Sequence, residues 1–276
     1  MLTAIGWINA TFTQIFRFLV RPLEGLPPVY ALALISLVTG LFMLWIYARF
    51  SNQEGIRTSK NRIRGYLFGV RIFQHDMAVV WRLQGQIFRE TFRYFRYSMT
   101  PLAVMLAPLV LILIQLNLFF GLRPLPEGES TLLKVGLNSS SHALDEVQLL
   151  IAEGLEVEAP PVRVPRLREV VWRVRAAQPG RHPVQVQVGE RLYTKEVVVG
   201  AGWRDVSSLR TSEWFDLLFY SGEPPLPADS GIRSIEVVHP ALSLSVLGLG
   251  SNWFILFIVF SLIAAFGFKG FFGVSL

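Results

Sequence analysis

Three stretches of this 276-residue chain contain no Asp, Glu, Lys or Arg. They lie between Glu24 and Arg49, between Arg96 and Arg123, and between Glu236 and Lys269, and are 24, 26 and 32 residues long. A helix of roughly 20 predominantly apolar residues crosses ~30 Å of hydrocarbon. Gaps of that length exclude an ordinary soluble protein, a disordered chain and a single-pass anchor. Only 17% of the residues are charged, against about a quarter in a typical soluble domain. The chain has no cysteine, so disulfides, thiolate metal sites and a cysteine nucleophile are excluded.

The charges that remain are sorted by segment. Residues 49–96 hold ten basic residues (Arg49, Arg57, Lys60, Arg62, Arg64, Arg71, Arg82, Arg89, Arg93 and Arg96) against Glu54, Asp76 and Glu90, a net of +7. Residues 123–240 hold 13 basic and 16 acidic residues, a net of −3. Short loops rich in Lys and Arg stay on the cytoplasmic side of a membrane. That rule predicts residues 49–96 and the C-terminus inside, with the N-terminus and residues 123–240 outside; the membrane expected is a bacterial inner membrane. Specific nucleic-acid binding is the competing reading of the arginines; topology alone accounts for them.

Residues 1–28 read as an outer-surface segment, whose first part, Met1–Val20, lacks the basic start and small-residue cleavage site of a signal peptide. Ile5, Ile8, Phe12, Ile15, Phe16 and Leu19 recur at helical spacing opposite Thr3, Asn9, Thr13 and Arg17. This predicts an amphipathic helix, either lying on the outer membrane face or packed on the protein itself. The first span is expected at 29–48, the second at 101–122 and the third at 250–268, followed by a cytoplasmic tail to 276. Between the first two, residues 49–100 read as a helical hairpin. One apolar stripe runs through Ile63, Tyr66, Leu67, Val70 and Phe73, and the other through Val80, Gln84, Ile87, Phe88, Phe92 and Phe95. Asp76 is placed to cap the second helix, and Thr100-Pro101 is expected to end it.

Residues 123–249 read as an extracytoplasmic β domain and linker. Val170, Trp172 and Val174 alternate with arginines, and Val184, Val186 and Val188 with glutamines. With turns at Gln178-Pro179-Gly180 and Gly189-Glu190, about six short antiparallel strands suggest a small immunoglobulin-like sandwich. Thr211–Tyr220 is expected to hold a short helix beside the membrane. The fold class is therefore an α-helical membrane protein of three spans and a cytoplasmic hairpin, with an immunoglobulin-like sandwich outside.

No catalytic or metal-binding constellation is found, and an enzyme and a cofactor are not expected. The four histidines share no ligand spacing. Ser139-Ser140-Ser141-His142 reads as a polar turn, and Asn9-Ala10-Thr11 and Asn138-Ser139-Ser140 match the glycosylation triplet by composition alone. No charged residue lies inside a span, which argues against a pump or proton-coupled transporter. The polarity within the spans is uncharged: Thr39, Gln115, Asn117, Asn252 and Ser261. These residues either hydrogen-bond helix to helix, at ~0.6 kcal/mol each, or together line a polar groove.

One resemblance gathers these parts. The basic hairpin Arg62–Tyr97 and the junction Ser98-Met99-Thr100-Pro101, then Pro108 and Ile114-Gln115, look like the Asn-Pro…Pro…Ile-Gln stretch of the YidC/Oxa membrane-insertase superfamily. The layout resembles its three-span members, the archaeal relatives and the subunit of the ER membrane complex, over residues 29–122 and 250–272. The departures are specific. The first span has no arginine, the proline spacing is one residue longer, the proline after Ile-Gln is missing, and the β domain is an addition. The resemblance implies an insertase or insertion chaperone. Its groove (Thr39, Gln115, Asn117, Asn252, Ser261) would lower the desolvation cost of moving a short hydrophilic segment. Arg62, Arg64 and Arg71 would recruit nascent or client membrane proteins, or the ribosome. The competing class is a structural or assembly subunit that binds other members of a membrane complex through its β domain.

Overall fold

A computed structural model describes residues 2–138, 144–151, 153–220, 222–246 and 248–272. The Ser139–His142 turn, and with it most of the Asn138 triplet, lies outside the described residues. The chain divides into two compact units, Met1–Ala31 with Ile112–Trp253, and Leu32–Leu111 with Phe254–Leu276.

Among the described residues six α-helices are formed: α1 (Leu2–Val20), α2 (Pro28–Phe50), α3 (Gln53–Ile72), α4 (Met77–Phe120), α5 (Trp214–Phe219) and α6 (Trp253–Phe268). Two of them, α2 and α4, are long and apolar enough to cross a membrane. At 1.5 Å per residue α2 extends ~34 Å. The third apolar helix, α6, has 16 residues and extends only ~24 Å. Its expected first residues are taken by a small hairpin, in which β10 (Leu244–Val246) pairs with β11 (Leu249–Ser251).

The expected break at Thr100-Pro101 does not occur. Helix α4 continues for 44 residues through both Pro101 and Pro108, joining the hairpin to the second apolar stretch. A helical proline removes one N–H from the ladder, and apolar helices tolerate this where a hydroxyl or a neighbour re-satisfies the backbone. Here the Thr100 hydroxyl donates to the carbonyl of Arg96 at 3.1 Å.

In the unit that holds the hairpin, α3 starts at an Asn52 cap, whose side chain accepts from the Gly55 amide at 2.8 Å. Asp76 caps α4, its carboxylate accepting from the amides of Ala78 and Val79 at 3.0 and 3.1 Å. Leu67 and Phe73 point outward, and the side of α3 turned inward carries Ile56, Ser59, Ile63, Tyr66 and Val70. On α4 the expected stripe is corrected. Gln84, Phe88, Phe92 and Phe95 are exposed, whereas Val80, Leu83, Ile87, Glu90 and Tyr94 turn inward. The observed spacing of three and four carries a buried carboxylate because that carboxylate is neutralised. Glu90 accepts from the Ser59 hydroxyl and from Arg62 at 3.3 Å, and from Arg93 at 2.7 Å. A charge leaves water only when paired and hydrogen-bonded.

The β domain belongs to the other unit, and all its strand pairs are antiparallel. One sheet has the order β3 (Leu155–Val157), β5 (Glu169–Ala176), β1 (Ser130–Leu137), β9 (Ile232–Val237), β8 (Leu209–Thr211), with β4 (Val162–Val164) also on β5. The second sheet is β2 (Val147–Leu150), β6 (Gly180–Val188), β7 (Arg191–Val199). Period-two alternation sends Val170, Trp172 and Val174 inward with Val184, Val186 and Val188, and both sheets contribute to one core. Gly189, at φ +60°, lets a two-residue turn join β6 to β7.

Candidate functional site

The polar residues of the apolar helices fall into two groups, one in each unit. In the first group α2 meets α6 at small side chains. The Ser261 hydroxyl donates to the carbonyl of Ser36 at 3.2 Å, and the Ser36 hydroxyl donates to Leu32 O at 2.7 Å. A Cβ placed on Gly40 would stand 2.7 Å from Ser261 O and 3.1 Å from Ala264 Cβ, so the backbones approach at a glycine. Ser36-xxx-Gly40 is the small-xxx-small spacing that brings apolar helices together. Thr39 is buried on the same helix. Ser36 and Gly40 were not among the expected site residues, although their spacing stands in the sequence.

In the second group α1 lies against the end of α4. Gln115 is buried, and its amide donates to the Thr13 hydroxyl at 3.0 Å. The Asn9 amide donates to Leu217 O of α5 at 2.5 Å, and Phe16 packs on Phe119 with ring centroids 5.6 Å apart. Asn9 is only 8% exposed, which removes it as a glycosylation acceptor. Helix α1 therefore turns Asn9 and Thr13 inward together with Phe16 and Val20, and leaves Ile15, Phe18 and Leu19 outside, with Phe18 78% exposed. Large apolar side chains thus stand on the outer face as well as the inner one, unlike a soluble surface helix. Asn117 and Asn252 are exposed.

The same unit is fastened by the segment between β7 and β8. Trp203 donates from Nε1 to Leu26 O at 3.0 Å and stacks on Phe120 at 4.8 Å. Val206 N donates to Leu118 O at 2.9 Å. Asp205 is 7% exposed and accepts from Arg17 at 2.8 Å on one side and from Arg181 on the other, while Arg181 also reaches Glu196 at 3.0 Å. One carboxylate thus links α1 to the β domain. The 188-residue separation of Arg17 and Asp205 hides this link from any local pattern.

Behind this segment Lys195 is fully buried. Its ammonium donates to Ser207 O at 2.7 Å and to the Glu223 carboxylate, which also accepts from Glu196 N at 2.8 Å. Burial lowers the Lys195 pKa, and Glu223 opposes that shift. Nearby His239 is pushed down to about 4 by burial; the bond to Val237 O raises it and Lys195 lowers it again.

Of the expected recruitment residues, Arg62 is tied to Glu90, with about half its side chain exposed. Arg64 and Arg71 are exposed. Among the described residues no three His, Asp or Glu side chains gather as metal ligands. The comparisons with known proteins add no family: no family model, curated protein or solved structure matches the chain.

Proposed function

We propose that the chain is a membrane-protein insertase or insertion chaperone of YidC/Oxa type. In this reading it has three spans in a bacterial inner membrane, a cytoplasmic hairpin and an extracytoplasmic immunoglobulin-like domain. The observation that carries the reading is α4. One helix joins an arginine-rich, water-exposed half to an apolar half of membrane length, so an event at the hairpin is coupled mechanically to the bilayer segment. The exposed Arg64 and Arg71 are the recruitment positions, with Arg62 shared with Glu90. The uncharged polar group of Asn117 on α4 would meet a hydrophilic segment in transit directly, and those of Thr39 and Ser261 would meet it when the contact between α2 and α6 opens. The buried Gln115 serves α1. Site-specific photocrosslinkers at Thr39, Ser261 and Asn117 test this reading in ribosome-bound stalled chains. Crosslinks to the client support it, and crosslinks confined to lipid and neighbouring subunits overturn it.

A second reading is favoured by the clasp around Asp205. The β domain is held to α1 and to the end of α4 by part-buried side-chain and backbone bonds, as expected of a domain that transmits or bears load. In that reading the chain is an assembly subunit that binds partners through the β domain. Loss of one complex on depletion, with no general loss of membrane proteins, would favour it.

A further inference from the structure

We infer that the base of the hairpin holds a binding site for the phosphate of an anionic phospholipid. A cavity of about 390 Å³ opens where the turn between α2 and α3 meets α4, lined by Phe50, Asn52, Arg93, Arg96, Tyr97 and Thr100. That volume falls within the range of small-ligand pockets, ~300–1,000 Å³. The lining is made of donors. Arg96 has no acidic partner among the described residues, and Arg93 shares its charge with Glu90 through one nitrogen. The Asn52 oxygen is occupied by the Gly55 amide, so its NH₂ remains to donate outward. The Tyr97 phenol completes the set, while the Thr100 hydroxyl, which donates to Arg96 O, lines the cavity without a proton to spare. Guanidinium groups bind phosphate oxygens by paired, charge-assisted hydrogen bonds.

The place of the cavity selects a lipid as the source of that phosphate. Phe50 is the last residue of apolar α2, and Thr100 immediately precedes the apolar half of α4. Both mark the step from hydrocarbon to water, where headgroup phosphates lie; this placement rests on the reading that these helices span a bilayer. Phe50 is half exposed and gives the site one apolar wall for the glycerol backbone. Arg82, Arg89, Arg93 and Arg96, spaced by seven, four and three residues, follow one face of α4 down to the cavity and favour an anion over a zwitterion. Gly55 keeps Tyr97 in the wall, since a Cβ there would stand 2.8 Å from its ring.

Calorimetric titration of the full-length protein in a nonionic detergent tests this site without reference to insertion. The probes are dihexanoyl phosphatidylglycerol, dihexanoyl phosphatidylcholine, inorganic phosphate and a short single-stranded RNA. Phosphatidylglycerol is expected to bind at least tenfold more tightly than phosphatidylcholine. Arg96→Gln should weaken it roughly tenfold, the loss of one charge-assisted contact. Arg175→Gln, an exposed arginine of the β domain, should leave it unchanged, and both variants should melt at the wild-type temperature without lipid. Equal binding of the two lipids, or wild-type affinity in Arg96→Gln, overturns the site. Phosphate or RNA binding as tightly as phosphatidylglycerol, with loss in Arg96→Gln, overturns the lipid as its occupant.

Discussion

His239 and Asp205 show how single side chains hold the β domain together. His239 is buried beside the Lys195–Glu223 pair, and burial lowers its pKa to about 4 from an ordinary 6.5. The folded protein therefore keeps it neutral while the unfolded chain protonates it below pH 6.5. Its contribution to stability is fully present above that pH and is lost as the pH falls toward 4, at ~1.4 kcal/mol per unit. Thermal unfolding at pH 7.5 and pH 5.0 should show a smaller drop for His239→Gln than for the wild type, and an equal drop would contradict this assignment. Asp205 is the shared acceptor of Arg17 and Arg181, both partly exposed. Discounted for that exposure, Asp205→Asn should cost about 1–2 kcal/mol. Limited proteolysis within residues 20–28 should speed up as α1 is released.

The helices carry the clearest lesson about what a sequence reveals. The apolar length of α2, the Asp76 cap and the alternation in β5 and β6 are all local, and each was readable from spacing. The course of α4 was not. Thr100-Pro101 reads as a stop by backbone sterics, yet a threonine hydroxyl and an apolar continuation carry the helix through. The inward face of α4 also differs from the expected stripe, because aromatic residues marked that stripe and a carboxylate, Glu90, lies on the inward side. Its burial depends on Ser59 and Arg62, about 30 positions away. Likewise Asn9 and Thr13 of α1 turn inward because their partners, Leu217 O and Gln115, come from distant segments. Of the polar residues in the apolar helices, Thr39 and Ser261 stand out in the sequence by their oddity within apolar runs. Ser36 and Gly40 were missed because small residues look unremarkable there. Gly40→Val should destabilise the α2–α6 crossing by about 1–3 kcal/mol, the cost of overpacking against Ser261 O. Unfolding in detergent measures that loss, and wild-type stability would contradict the close approach.

At the level of the whole molecule, a charge-poor composition conceals a sharp division of labour. The positive balance resides in the hairpin, the apolar excess in α2, α6 and the second half of α4, and the acidic balance in the β domain. The absence of cysteine allows single-cysteine labelling without background. With the proposed topology, a cysteine at 175 should react with a membrane-impermeant maleimide from outside, and one at 64 only after permeabilisation. Labelling of both from one side would contradict that arrangement. Insertion itself is tested most directly in proteoliposomes that contain the purified chain and receive a newly made single-span protein with a short translocated tail. The proposed function predicts protease-protected tails well above empty liposomes, and a further fall when Arg64 and Arg71 are replaced together by Gln. Protection equal to empty liposomes, with the chain correctly folded and oriented, would contradict it.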